Sequence, residues 1–370
     1  MKEGRPIETL AEQILEESKA KKDYVAPTPA LTMTTVPHEG FKPDIALQFA
    51  VGGQTRQYTP TPLCLGQIVD RVGIPAKYAE RMRLEAPELL ADNINHWFRA
   101  NPERRTLRTL SNGRAIARAF LSNKYRPLDN YDLFAAVMPK LREAGCLIRS
   151  AEITETRFYI QTSTPRVQRP VKQTITLAGG QQKIVRVVEA GVIIGNSEVG
   201  HGAISVEPMV FDLWCTNGVV MQHSLRRHHV GRRNEGGIFG DEGSAELYSD
   251  ETRKLDDRAF WAKVVDVTAA ALSVTRFNEH IDRLVATQQQ KLAGKPQEVV
   301  EVLARNFELT DTEKENVLLQ FIQGGDSSKF GLVQAVTRAS QDVESYDRAV
   351  ELERLGGEII ELPPTDFAPN

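Results

Sequence analysis

The sequence is short of the residues and runs that mark whole classes of protein. Its 370 residues contain no run of 18 consecutive apolar residues, so no stretch reads as a membrane-spanning helix. Cysteine is scarce. Cys64, Cys146 and Cys215 are odd in number and widely spaced, and fit neither a disulfide framework nor a zinc pattern. They read as reduced, mostly buried thiols, and the chain as cytoplasmic. The opening MKEGRPIETLAEQILEESKAKK is charged and amphipathic, without the apolar centre of a secretory signal. There is no G-x-S-x-G, no H-E-x-x-H, no Walker loop and no dinucleotide fingerprint. No strong catalytic motif is therefore present, and neither a cofactor nor a metal site is expected.

What is present is a globular composition, 41% hydrophobic and 26% charged, in a chain long enough to bury a sizeable core. The net charge of -3 conceals an asymmetry. From Glu235 onward there are 26 acidic and 14 basic residues, a balance of -12, which leaves +9 for the first 234 residues. A basic first part and an acidic last part point to an anionic partner, with nucleic acid the leading class. The plain alternative is uneven surface charge.

Taken in order, Ile7 to Lys22 has helical spacing of Ile7, Leu10, Ile14 and Leu15. The Pro/Thr-rich DYVAPTPALTMTTVPHEG then reads as a linker or extended arm. Lys42 to Tyr58 is strand-like with a turn at Gly52-Gly53, and Pro62 to Asn95 reads as short helices. Arg99 to Arg126 holds eight cations against Glu103 alone. Within it a hairpin is predicted, turning at Ser111-Asn112-Gly113. Regular alternation along its return strand puts Arg114, Arg118 and Phe120 on one face. Tyr131 to Glu143 reads as a helix, and Leu147 to Thr162 as another strand pair. Ser163 to Gln182 reads as a loop or long hairpin. The remainder past the acidic, Gly-rich 235–250 is helical: Asp256 to Lys291, Gln297 to Asn306, Asp311 to Gln323 and Lys329 to Leu355, ending in a disordered tail.

The densest stretch runs from Gly191 to Arg233. Three apolar runs, broken at Gly195-Asn196-Ser197 and at Asn217-Gly218, lead to Arg226, Arg227, His228, His229, Arg232 and Arg233. Strands thus deliver a cationic cluster to one sheet edge. The spacing of His223, His228 and His229 suits no metal pair. Cys215 reads as a buried thiol at a strand end. As a nucleophile it would need His201 or His223 brought beside it by the fold.

KYRPLDN, NSEVGHG, DLWCTNG and LRRHH occur in an order that resembles the phage/plasmid-like proteins of the domain-of-unknown-function 932 family. The likeness runs from about residue 45 to 350, with Tyr346 matching an aromatic of a C-terminal helix. The chain departs from the pattern in its paired His228-His229 and its acidic glycine loop. The resemblance carries no established activity. It implies a DNA-linked task, because such proteins occur on mobile elements near replication and recombination functions.

The expected fold is α+β: a mainly antiparallel sheet from about residue 100 to 225, flanked by an N-terminal helical cluster and a C-terminal helical region. Three regions are expected: 1–41 as helix and arm, 42–234 as the basic core, and 235–370 as the acidic helical part. The expected function is single-stranded nucleic-acid binding in a phage or plasmid, for DNA recombination or replication and strand annealing within it. Arg108, Arg114, Arg118, Lys124, Arg126, Arg226, Arg227, Arg232 and Arg233 would hold phosphates. Phe120, Tyr125 and His228 would offer stacking surfaces. A homo-oligomer, ring or filament, is expected, with no membrane partner. The alternatives are an enzyme acting on a phosphorylated or nucleic-acid substrate and a structural or interaction protein of a mobile element.

Overall fold

A computed structural model describes residues 1–38, 41–177, 180–221, 225–227 and 250–369. Helix α1 (Ile7–Ala20) buries Leu10 and Ile14, as its spacing predicts. Strands β1 (Lys21–Pro27), β2 (Thr32–His38), β3 (Phe41–Val51) and β4 (Gln54–Pro60) follow. Next come helices α2 (Pro62–Arg71), α3 (Ala76–Glu85) and α4 (Pro87–Ala100), then strands β5 (Arg104–Ser111) and β6 (Ala115–Ser122). These six strands form one sheet in the order β1-β5-β6-β4-β3-β2. It is antiparallel except where β4 runs parallel to β6. Helices α2 to α4 cover one face, closing a core of Leu31, Ile45, Leu47, Phe49, Ile68, Leu90, Ile94, Phe98, Leu107 and Phe120.

The Pro/Thr-rich segment is therefore not an arm. It supplies β1 and β2, the two edge strands of this sheet, where proline is tolerated because one side needs no ladder partner. β1 pairs with β5 from Lys21↔Leu110 to Pro27↔Arg104. Tyr24, Leu31 and Met33 from this segment reach the core. The sheet structure accordingly begins at residue 21, not near residue 100, and residues 1–41 are not a separate unit.

After α5 (Asn130–Glu143) comes a second sheet: β7 (Leu147–Ile153), β8 (Phe158–Leu177), β9 (Gly180–Asn196), β10 (Ile204–Asp212), β11 (Asn217–Val220) and β12 (Leu225–Arg227). Its order is β11-β10-β9-β8-β7, with β12 also on β10, and every pairing is antiparallel. Residues 163–182 form a long hairpin, paired out to Leu177↔Gly180.

The chain ends in helices α6 (Asp250–Ala271), α7 (Val274–Ala286), α8 (Pro296–Asn306), α9 (Asp311–Gly324), α10 (Lys329–Ala339) and α11 (Tyr346–Glu361). Two stretches expected as single helices are broken by serine caps. Ser273 accepts from the amide of Arg276, and Ser345 from that of Arg348. The tail is not disordered: Phe367 is fully buried in the core that α7 to α11 build on the second sheet. Helices α1, α5 and α6 close a third core with Phe158, Ile160, Val192, Ile194, Ile204 and Val206. The architecture is α+β. Among the described residues no helix is long and apolar enough to cross a membrane.

Candidate nucleic-acid interface

Two of the sequence motifs meet at the junction of the sheets. The NSEVGHG turn follows β9, and the KYRPLDN loop joins β6 to α5. Asn196 Nδ2 donates to Leu128 O at 2.9 Å and to Asn130 Oδ1 at 2.8 Å. The hydroxyl of Tyr125 donates to Ser197 O at 3.2 Å. Positive φ at Gly200 and Gly202 turns the chain back, and a Cβ at Gly202 would strike the Arg157 guanidinium.

Glu198 is the centre of this junction. Its carboxylate lies 2.6 Å from Lys21 Nζ and 2.8 Å from Arg118 Nη1, and it accepts the Asn130 amide at 2.7 Å. Its carbonyl accepts from Arg108 Nη1 at 3.0 Å. Arg108 also pairs with Asp23 and Asp129. Burial works to raise the Glu198 pKa, but the charges of Lys21, Arg118 and Arg108 prevail and hold it at about 2.

This network uses residues that the sequence offers to a ligand. Arg108 is buried and ion-paired within the protein, and Arg118 faces Glu198. Phe120 points the other way, stacked on Phe98 at 5.7 Å inside the α2–α4 core. A bulge explains the split. Arg108 pairs with Ala119 and Thr109 with Ala117, so Arg118 is the extra residue and the alternation reverses there. Arg126 pairs with Asp256 and Asp257 of α6. Tyr125 is half-buried, with the Arg108 guanidinium over its ring at 5.9 Å. Arg108 and Phe120 are buried, which takes them out of reach of a strand, and Arg118, Tyr125 and Arg126 are bonded to other elements of the fold.

Arg114 and Lys124 differ. Both are exposed, and neither has an ion-pair partner among the described residues. Arg226 and Arg227 lie in β12 opposite Ser205 and Ile204, at the edge of the second sheet. His228, Arg232 and Arg233 lie outside the described residues, as do His223 and His229.

Lys124 and cations not assigned to the site from the sequence collect at one end of the first sheet. Arg71 of α2 and Arg105 of β5 share Glu103, at 2.6 and 2.8 Å. Arg99 and Arg104 flank them, exposed and without ion-pair partners among the described residues. Lys124 lies two residues past Ser122, the register partner of Arg105. On the last turns of α4, His96 and Trp97 are exposed, with ring centroids 5.1 Å apart and edge to face. The charge run is visible in the sequence. Which of its members face water depends on the bulge and on carboxylates distant in the chain.

The DLWCTNG turn ties the second sheet to α10. Arg186 Nη1 donates to Asp212 at 2.9 Å and to Cys215 Sγ at 3.0 Å, and Asn217 Nδ2 donates to Thr337 Oγ1 at 2.6 Å. Cys215 and His201 lie beyond opposite ends of β10, so the fold does not bring that thiol and imidazole together. Among the described residues no three His, Cys, Asp or Glu side chains are grouped to hold a metal ion. In comparisons with known proteins the chain matches no family model, no curated protein and no solved structure.

Proposed function

We propose that the protein binds single-stranded nucleic acid at the cationic end of its first sheet. The observation that carries this reading is the cluster there. Arg99, Arg104 and Lys124, exposed and without ion-pair partners among the described residues, stand at the end of the sheet where Arg71 and Arg105 pair with Glu103, and the rings of His96 and Trp97 are exposed on the last turns of α4. Cations that lack internal partners attract phosphates, and exposed rings accept any base on their faces. Arg114, at the far turn of the β5–β6 hairpin, is a further exposed cation, and Arg226 and Arg227 stand on β12 at the edge of the second sheet. Contacts of this kind grip backbone and leave base edges free, which suits strand annealing.

The resemblance to the phage/plasmid-like proteins supports a role in DNA recombination or replication of a mobile element, in the cytoplasm. Self-association into a ring or filament belongs to the same reading, since it repeats one site along a strand. The test is fluorescence anisotropy with labelled single-stranded DNA, duplex DNA and RNA at rising salt. The expected result is a preference for single strands, with a log–log salt slope of about -0.7 per phosphate contact. Absence of binding at low salt overturns the reading.

A further inference from the structure

The β8–β9 hairpin extends past its neighbours as a two-stranded ribbon. β10 pairs with β9 as far as Asp212↔Val188, and the Leu213 amide still reaches Val187 O at 3.1 Å. Beyond that point, residues 180–186 of β9 have no strand on that side among the described residues. One ribbon face is buried: Val171 and Val188 join the core of the C-terminal helices, and Gln173 donates to Asp326 at 2.8 Å. The other face is open. Val185 is 54% exposed, and Val187 and Leu213 are partly exposed beside it. Trp214, in the adjoining turn, is 67% exposed. Lys172 lies opposite Val185 in the register and Lys183 two residues along, both exposed and without ion pairs among the described residues. The result is an apolar strip with a cationic end and an unpaired strand edge, which is a form that invites association.

A surface of opposite character lies on α9. Val317 and Phe321 are buried, which leaves Asp311, Glu315, Leu319 and Ile322 as one exposed stripe at helical spacing. Leu319 is 50% and Ile322 51% exposed. The stripe is acidic at one end, where Asp311 pairs with Lys314 at 3.2 Å and Glu315 has no ion pair among the described residues, and apolar at the other. It spans about 16 Å at the helical rise. The strip from Lys183 to Val187 spans about 13 Å. Helix α9 packs on α10, which is buried along its length and bonded to β11 through Thr337 and Asn217. The α9 stripe therefore faces away from the sheet, and the open ribbon face looks away from the C-terminal helices.

We propose that these two surfaces are the two halves of one interface between copies of this chain. Lys172 and Lys183 of one copy meet Asp311 and Glu315 of the next, and Val185, Val187 and Leu213 meet Leu319 and Ile322. Because the two patches differ and face opposite sides, the contact is head to tail. It generates a ring or an open filament and not a closed two-fold dimer. This rests on the self-association within the reading above and names the surfaces that mediate it.

Sedimentation velocity across the micromolar range tests it, with Lys183→Glu, Glu315→Lys, their combination, and Leu319→Ser. All three positions are exposed, so melting temperatures should match the parent protein. The parent protein should sediment as assemblies. Each single charge reversal should weaken assembly about tenfold or more, through like charges brought face to face. The combination should restore it, and Leu319→Ser should weaken it. A parent protein that stays monomeric, or assemblies unchanged by Lys183→Glu and Leu319→Ser, overturns the proposal. Anisotropy on the same samples separates the two readings. A monomer that binds single strands overturns only the interface, and an assembly that binds none overturns only the nucleic-acid reading.

Discussion

Arg118 on β6 donates to the carboxylate of Glu198, in the turn after β9, at 2.8 Å. That bond ties the first sheet to the second. Lys21 on β1 and Arg108 on β5 converge on the same residue, so three strands of one sheet are pinned by one turn of the other. A cation engaged this way is part of the frame and is not available to a phosphate.

Replacing Glu198 by Gln should destabilise the protein by about 3–5 kcal/mol, because buried cations lose their partner. Urea unfolding at neutral pH measures this. The pH dependence has a defined sign. The folded pKa is about 2, below the ordinary value of 4.5. The stabilisation is therefore complete above pH 4.5 and is lost as pH falls from there towards 2. Glu198→Gln should lack that acid-limb loss, and an unaltered slope in the variant would count against the network.

Arg108→Ala and Arg118→Ala should lower stability, by about 3 kcal/mol or more for the fully buried Arg108. Binding of single strands per folded molecule should not change. Thermal melts and anisotropy on one preparation give both values. A folded Arg118→Ala protein with weakened binding would return this residue to the interface.

Glu353 provides a second pH signal of opposite direction. It is fully buried on α11 and accepts from Gln161 Nε2 at 3.0 Å, and burial pushes its pKa up to about 7. A raised folded pKa gives stability that is present below pH 4.5 and lost as pH rises through 7. Glu353→Gln should therefore gain on the parent protein between pH 5 and pH 8, by on the order of 2 kcal/mol. Parallel stability profiles for the two proteins would exclude this assignment.

The sequence made the β5–β6 hairpin, α5 and the β7–β8 strand pair readable, because turn residues and alternation there agree with the fold. It did not reveal the bulge at Arg118, which reverses a face with no change in composition. The edge strands β1 and β2 were hidden by their prolines, which a central strand would not tolerate. The arginines were the least readable element. Asp129 lies 21 residues from Arg108, Glu198 lies 80 from Arg118 and Asp257 lies 131 from Arg126. Only the folded chain brings those charges together, so a count of local charge overstates what faces water.

Arg226 and Arg227 test the contribution of the second sheet edge. Replacing both with Ala should weaken binding to all sequences alike and flatten the salt slope by about 0.7 per lost contact. Loss confined to one sequence would indicate base readout instead.

The most direct measurement is the salt dependence of single-strand binding by the parent protein and by the triple variant Arg99→Ala, Arg104→Ala, Lys124→Ala. All three side chains are exposed, so the melting temperature should stay within a degree or two, as expected for surface charges that contribute little to folding. The predicted result is a lower affinity at low salt and a slope shallower by about 2, from three phosphate contacts at about 0.7 each. Unchanged affinity and slope in a folded triple variant would contradict the proposal that this end of the first sheet holds the strand.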